Sequence, residues 1–323
     1  MERIKKIIRS AVSNRYGKGF FLLTLFFIPL ITNNYTQYMV NLIMVYIIIA
    51  IGLNILLGYA GQFAFAHPAF VGIGAYCTGL LMVRLHIPFW FALPTAGIFT
   101  AGIGLVVGFP AIRMKGLYLA MVTLAFVELT EWILIHWEPV TFGADGFNLP
   151  SPKLGPFVFE TDTSCYFIIM ISCVLLVFLA RNLMASGLGR AFVAIRNSEV
   201  AAESVAISAA KYKCIAFMIS AFYAGIGGGL YALAIKFIDP ESFGLNQIIL
   251  QFAIVLIGGL RSIYGSILGA ILLTSIPELL RGFKAFEEIG YGFLLVVFIL
   301  FMPSGISGFL KKHGFIPEER LHR

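Results

Sequence analysis

Residues 38–57 read YMVNLIMVYIIIAIGLNILL and decide the fold class. These twenty residues carry no charged side chain, and twenty is the length that a helix needs to cross the hydrocarbon core of a bilayer. The run is far longer than a β-strand and does not alternate, which favours a spanning helix over a barrel strand. The whole chain has the same character, with 59% hydrophobic residues, 12% charged residues and a mean hydropathy of +0.92. The sequence therefore predicts an all-α integral membrane protein.

Further apolar stretches of this kind follow one another along the 323 residues. The candidate spans are 19–33, 38–57, 63–83, 88–109, 116–137, 164–180, 214–236, 247–260, 265–280 and 289–302. Several are short or interrupted by Gly or Pro, so we predict nine or ten transmembrane helices. They form one domain, residues 19–302, between an N-terminal segment, residues 1–18, and a C-terminal tail, residues 303–323.

The basic residues predict the orientation. With a cytoplasmic N-terminus and ten spans, 18 of the 23 Lys and Arg residues fall in inner segments and five in outer ones, and an excess of Lys and Arg marks cytoplasmic loops. Both termini and the polar stretch 181–213 are therefore expected in the cytoplasm, and the acidic loop 138–163 in the periplasm. The net charge of +7 is explained by anionic lipid at the inner ends of the helices, and no nucleic-acid partner is expected.

Two apolar stretches are interrupted by glycine, proline and polar residues. The first, GLNILLGYAGQFAFAHPAF over 52–70, contains Asn54, Gln62 and His67, and the second is VLIGGLRSIYGSILGA over 255–270. A break in a membrane helix survives only where it is buried in protein or lines an aqueous cavity. We therefore predict that Asn54, Gln62 and His67 line a solute path. Close helix packing is an equal alternative for the glycines of this stretch, and the favoured one for AGIGGG over 224–229.

Glu128 lies near the middle of the span 116–137. A carboxylate at the bilayer centre costs about 3 kcal/mol, so Glu128 is expected to face the bundle interior, to be protonated or to meet a partner. Glu131 shares its side of the helix. The pair fits a proton relay in a secondary transporter, and it also fits a structural polar contact between subunits, which is the favoured interpretation. We count Glu128 among the candidate path residues.

The polar stretch contains GRAFVAIRNSEVAAESVAI over 189–207, whose apolar residues recur at three- and four-residue spacing. Ser198 is a candidate N-cap that would divide it into two short helices. Helices of small residues suit insertion into a groove on a soluble partner. The alternative is an amphipathic helix on the membrane surface, which the lack of large apolar residues disfavours. The chain has no phosphate-binding GxxxxGK[ST] loop, no nucleophile motif and no metal-ligand spacing, so we expect neither an enzyme nor a bound cofactor.

This stretch and YKCIAFMISAFYAGIGGGLYAL over 212–233 resemble the permeases of branched-chain amino acid ATP-binding cassette (ABC) importers, of the LivM type. Blocks in the same order extend the resemblance over almost the whole chain, including 52–70, GLYLAMVTLAFVEL over 116–129, GADGFNLP over 143–150, 255–270 and FMPSGISGF over 301–309. The resemblance implies a multi-pass permease of the bacterial inner membrane. It also implies as partners a second, LivH-type permease, two cytoplasmic ATPases that use ATP and Mg, and a periplasmic substrate-binding protein.

In that family the polar stretch is the helix that couples the permease to the ATPases. Carried over, the coupling residues would be Arg190, Ala194, Ile195, Arg196, Glu199, Ala201 and Ala202. The expected cargo is leucine, isoleucine and valine, with urea, amides or other amino acids as alternatives within the same family. A proton-coupled secondary transporter using Glu128 is the alternative of another class, and an intramembrane enzyme is the least supported.

Overall fold

The computed structural model describes residues 29, 33–114, 116–154, 157–159, 161–280, 292, 296 and 305–312. The predicted spans 19–33 and 289–302, the N-terminal segment 1–18 and most of the tail 303–323 lie outside these residues. Each of the other eight predicted spans corresponds to a helix. Six helices of the described part are long and apolar enough to cross a membrane, and two more, His67–Val83 and Ile263–Ile276, are shorter apolar helices.

The described elements are almost entirely helical. The helices are α1 Asn34–Leu53, α2 His67–Val83, α3 Phe89–Ala111, α4 Leu117–His136, α5 Glu138–Thr141, α6 Asp162–Ala185, α7 Gly187–Asn197, α8 Glu199–Ser204, α9 Ala209–Ile235, α10 Leu245–Gly258, α11 Ile263–Leu280 and α12 Gly305–Lys312. A π-helical segment, Asn54–Tyr59, continues α1. The strands are β1 Phe147–Asn148, β2 Lys153–Leu154, β3 Phe157–Val158 and β4 Phe237–Ile238. β1 pairs with β4 and β2 with β3, both antiparallel.

Helix α9 lies at the centre of the bundle, packed against α1, α2 and α3. Small residues allow this packing: a side chain on Gly228 would collide with the backbone of Val71 in α2, and one on Gly74 would collide with the backbone of Gly225. Helices in membranes associate through such close backbone contacts because lipid supplies no hydrophobic force between them. The packing interpretation of the AGIGGG run is thereby confirmed.

The first predicted break is present, but α2 begins later than the span 63–83 predicts. The helix starts at His67, with Pro68 in its first turn, where the missing N–H of proline costs no helical hydrogen bond. Residues 60–66 are not helical. Gly61 has a φ of +69°, a left-handed conformation that favours glycine and turns the chain out of the π-helical segment.

Segments predicted to share a side of the membrane contact each other. On the predicted outer side, β1 of the loop 138–163 pairs with β4, and Lys236 Nζ lies 2.7 Å from Asp162 Oδ1. At the other end of the bundle, Arg196 of the polar stretch donates a hydrogen bond to Gly58 O at the end of the π-helical segment. The tertiary contacts therefore agree with the alternation of sides that the basic residues predict.

Candidate functional site

The first break brings the chain back into the bundle after α1 has ended. His67, the first residue of α2, lies beside Gly52 of α1, where a Cβ would come within 3.0 Å of His67 Nε2. Gly52 lies seven residues before Tyr59, where the π-helical segment ends, which is about 10 Å along the helix axis. Residues 60–66 therefore carry the chain back by about this distance before α2 starts. Residues 60–66 thus run as non-helical backbone alongside membrane helices.

Asn54 joins the first break to the second. Its Nδ2 donates to Ser262 O at 3.0 Å and to Ser266 Oγ at 2.8 Å, and its Oδ1 accepts from the N–H of Arg261 at 3.0 Å. Ser262 and Arg261 belong to the turn between α10 and α11. The side chain of Asn54 is 1% exposed. It therefore clamps the two broken regions together inside the subunit and satisfies backbone groups that the second break leaves free.

Gln62 and His67 are also buried. His67 Nδ1 lies 2.9 Å from Gln251 Oε1 of α10, and Gln62 Nε2 donates to Ala60 O at 3.2 Å. Polar side chains at membrane depth are rare and are retained where they pair with other polar groups. Gln62 thus bonds within its own segment, whereas His67, like Asn54, bonds to another segment of the same subunit and fixes the start of α2 against α10.

The polar stretch forms two short helices, as the predicted cap at Ser198 requires. Ser198 Oγ accepts from the N–H of Ala201 at 3.2 Å and starts α8, and Ser186 Oγ accepts from Leu188 N–H at 3.2 Å at the start of α7. Ile195 of α7, Ala202 of α8 and Ala209 of α9 are buried together in a small apolar cluster. The two helices therefore pack on the end of α9 as one unit, which we call the α7–α8 unit.

Two of the predicted coupling residues hold this unit to the bundle by their charges. Glu199 Oε1 lies 2.6 Å from Lys213 Nζ, and the Lys213 side chain is only 2% exposed. Arg196 donates to Gly58 O, and a Cβ on Gly61 would lie 2.7 Å from Arg196 Cγ. Burial lowers the pKa of Arg196, and the nearby guanidinium of Arg261 lowers it further. The α7–α8 unit thus contacts the first break directly through Arg196, and Asn54 connects the first break to the second.

The surface that the unit presents to solvent contains two residues that the sequence reasoning missed. Val200 is 80% exposed and Val205 is 66% exposed. Arg190 and Ala201 are exposed beside them, Ala194 is half-buried, and Ile195 and Ala202 are buried. Val200 falls outside the apolar pattern at three- and four-residue spacing, and Val205 falls within it, so the pattern by itself does not distinguish exposed apolar residues from Ile195 and Ala202, which pack on α9.

Glu128 and Glu131 lie on α4, away from the breaks. Glu128 is exposed and Glu131 is half-buried, with its carboxylate against Gly244, the residue that caps α10. The two carboxylates border an open cavity of about 500 Å³ lined by Glu128, Leu129, Glu131, Trp132 and Ile135. Within the described part of the bundle, the Glu128 side chain does not face the interior, which was one of the environments predicted for it from the sequence.

The predicted site residues therefore occupy three places. Asn54, Gln62 and His67 lie in the first break, the coupling residues form the α7–α8 unit beside it, and Glu128 lies on the exposed side of α4. Arg196 brings the first two places together. No group of three or more His, Cys, Asp or Glu side chains that could hold a metal ion occurs among the described residues.

An all-α bundle with broken membrane helices and a folded polar insert defines a polytopic membrane permease. The chain belongs to the family described as branched-chain amino acid transport system, permease component, whose model matches residues 35–302. The family resemblance predicted from the sequence blocks is thereby confirmed.

Named relatives fall into two types. The high-affinity branched-chain amino acid transport system permease protein LivM of Salmonella typhimurium is 34% identical over 287 residues, which cover 81% of this chain and 68% of the relative. LivM of Escherichia coli is 34% identical over 302 residues, 86% of this chain and 71% of the relative. The permease protein LivH of Escherichia coli is 24% identical over 285 residues, 81% of this chain and 91% of the relative. No solved structure matches the chain.

Proposed function

We propose that this chain is a permease subunit of an ABC importer that moves leucine, isoleucine and valine across the bacterial inner membrane. The observation that carries the proposal is the exposed apolar surface of the α7–α8 unit, Val200 and Val205, on a polar insert outside the membrane helices. Apolar side chains exposed on short helices outside the membrane fit a surface that inserts into a groove of a soluble partner. The cargo follows from the names of the LivM relatives.

The partners supply everything that this chain lacks. Two cytoplasmic ATPases bind and hydrolyse ATP with Mg, a LivH-type permease completes the membrane domain, and a periplasmic binding protein delivers the amino acid. The chain itself carries out no covalent chemistry and lies with both termini in the cytoplasm. Its part is alternating access, in which the ATPase state biases one of two arrangements of the membrane helices.

The contacts of the α7–α8 unit suggest how ATPase movement reaches the membrane. Movement of the unit displaces Arg196, which is bonded to Gly58 at the end of the first break. Four residues earlier, Asn54 is bonded to the turn between α10 and α11. A movement at Val200 is thereby transmitted to both broken regions through two hydrogen-bonded connections, and the segment 60–66 rearranges with them.

The test is Val200→Asp in the complete complex, reconstituted in proteoliposomes with binding protein and ATP on the appropriate sides. We expect at least a tenfold loss of ATP-dependent leucine uptake and weaker co-purification of the ATPases, because a charge replaces an apolar contact. Val200→Ile keeps the apolar surface and is the matched control that retains uptake. Undiminished ATP-driven uptake by the Val200→Asp complex contradicts the coupling assignment. Glu199 is a poorer choice for this test, because its loss leaves Lys213 buried without its partner.

The same proteoliposomes separate the alternatives. A proton-coupled secondary transporter predicts uptake by this chain alone, driven by a pH gradient and abolished by Glu128→Gln. An intramembrane enzyme predicts turnover by the purified chain without partners. Competition of labelled leucine by unlabelled urea, amides or other amino acids identifies the cargo within the importer class.

A further inference from the structure

The exposed side of α4 carries a charge where lipid would not accept one. Glu128 is the twelfth of the twenty residues of α4, about 16 Å from its start and therefore near the bilayer centre. Its side chain is exposed, and Met121, two helical turns earlier on the same side, is 61% exposed. Ionisable side chains inside membranes face protein or water, because their transfer to hydrocarbon is costly. This side of α4 therefore faces something other than lipid tails.

A second, independent feature marks the same region. The non-helical segment 60–66 lies against α4, since the N–H of Phe65 donates to Thr123 Oγ1 at 2.8 Å. Phe63 of this segment is 43% exposed, and its ring packs at 5.6 Å on that of Phe252 in α10. Irregular backbone at membrane depth occurs only where protein or a water-filled cavity covers it. An exposed phenylalanine on such a segment indicates a covering protein.

Two contacts connect this part of α4 and the segment 60–66 to α10. Glu131 of α4 approaches Gly244 at the start of α10, and Phe63 approaches Phe252 in the middle of α10. We define this surface, Met121, Glu128 and Glu131 of α4 together with Phe63, whose ring lies over the buried Phe252, as the α4–α10 cleft. Its apolar part and its acidic part both need a partner of complementary chemistry.

The charge decides which partner fits. In a two-fold dimer of identical chains the same surface meets itself, so the acidic residues Glu128 and Glu131 of both copies would be brought together away from water. A related but non-identical permease avoids this repulsion by placing a cationic or hydrogen-bond-donating side chain opposite Glu128. Relatives of both the LivM and the LivH type match this chain, so non-identical permeases of similar sequence exist in this family.

We propose that the α4–α10 cleft is the surface that binds a second, non-identical permease subunit, and that Glu128 pairs there with a donor side chain of that subunit. The proposal rests on the proposed function only in requiring two permease subunits. It specifies a surface and a contact that the family assignment leaves open.

Helix α6 supplies the control surface. Between residues 162 and 180, its exposed residues are all apolar: Ile171, Leu175, Phe178 and Leu179. Phe178 is 60% exposed, which matches the 61% of Met121, and both residues lie in the half of their helices nearer the α7–α8 unit. A side chain at position 178 is therefore expected to meet lipid, whereas one at position 121 is expected to meet protein.

The experiment places a photo-reactive benzophenone amino acid at Met121 or, as the matched control, at Phe178. Each variant is co-expressed with the second permease, the ATPases and the binding protein, and irradiated in membranes. We expect at least tenfold more product joining this chain to the second permease, identified by mass spectrometry, from position 121 than from position 178. Both variants are expected to co-purify with the second permease, which shows that they fold and assemble.

The other outcomes overturn the proposal in distinguishable ways. If the second permease co-purifies but position 121 labels only lipid, the interface lies elsewhere and the importer assignment stands. If position 121 joins two copies of this chain, the charge argument is wrong. If no second permease co-purifies and ATP-driven uptake is absent, the proposed function fails together with the interface.

Discussion

Helices α4 and α6 expose similar amounts of surface but surfaces of different chemistry. In their most apolar 18-residue windows, 33% of α4 and 39% of α6 is buried. Over residues 162–180 the exposed residues of α6 are aliphatic or aromatic, including Ile171 near its centre, whereas α4 exposes Glu128 near its centre. Exposure in a single subunit therefore does not identify a lipid-facing helix. A lipid-facing side is identified instead by the absence of charged side chains at membrane depth, because the transfer of an unpaired charge into lipid is costly.

The polar residues inside the two helices differ in the same way. Thr123 of α4 accepts a hydrogen bond from Phe65, 58 residues away, while Ser172 of α6 donates to Ile168 O in its own helix. Thr123 thus fixes another segment to α4, whereas Ser172 in the middle of α6 bonds only within its own helix. The difference fits a helix that belongs to a moving interface beside one that anchors the bundle in lipid.

The largest effect is expected from giving α6 the charge that α4 already carries. Ile171→Glu places a carboxylate on the lipid-facing side of α6 at the cost of about 3 kcal/mol, which is roughly a hundredfold loss in membrane insertion. Protease protection of the flanking loops in membranes measures it, with Ile171→Leu as the control. Full insertion of the Ile171→Glu chain contradicts the assignment of this side to lipid.

The reverse change on α4 is expected to affect assembly instead of insertion. Glu128→Leu removes a charge-assisted hydrogen bond to the partner, worth about 1.5–3 kcal/mol, and lowers co-purification of the second permease at least tenfold. Insertion of α4 is unchanged or improved, since a costly group has gone. Glu128→Gln keeps a hydrogen-bonding side chain and gives an intermediate result. Normal assembly of the Glu128→Leu chain would remove the distinction between the two helices.

Thr123→Val tests whether polar groups of α4 fix the first break. The variant leaves the partly buried N–H of Phe65 without its acceptor, at a cost of about 1–3 kcal/mol in stability. Thermal unfolding of the purified complex in detergent measures the loss, and Thr123→Ser restores the acceptor. A Thr123→Val protein as stable as the parent shows that the segment 60–66 is held by other contacts.

Ser172→Ala on α6 is expected to have the smallest effect, within about 0.5 kcal/mol. The Ser172 hydroxyl donates to Ile168 O in its own helix, so its removal leaves no group of another segment without a hydrogen-bond partner. The same unfolding measurement compares it directly with Thr123→Val. A loss as large as that of Thr123→Val refutes the contrast between local and tertiary hydrogen bonds.

Features that depend on nearby residues were predictable from the sequence. The positions of eight spans, the break between Asn54 and His67, and the division of the polar stretch at Ser198 follow from hydropathy, glycine and proline placement, and helix capping, all of which act within a few residues. The prediction was wrong about the start of α2, because residues 63–66 are apolar enough to continue a span but lie in non-helical backbone.

Features that depend on distant residues were decided by the tertiary structure. Asn54 bonds to a carbonyl 208 residues away, and Arg196 to one 138 residues away. A polar side chain in an apolar stretch signals that it needs a partner, because an unsatisfied group there is costly, but the sequence does not name that partner.

The amino-acid sequence by itself determined that this is an all-α membrane protein and which of its residues are unusual for lipid. Composition and periodicity suffice for that, because the bilayer selects helices by length and polarity alone. Only the tertiary structure decided that Asn54 and His67 point into the subunit, that Val200 points out of it, and that Glu128 lies on an exposed face. Direction depends on how α4, α9 and α10 pack, and packing is a property of the assembled bundle.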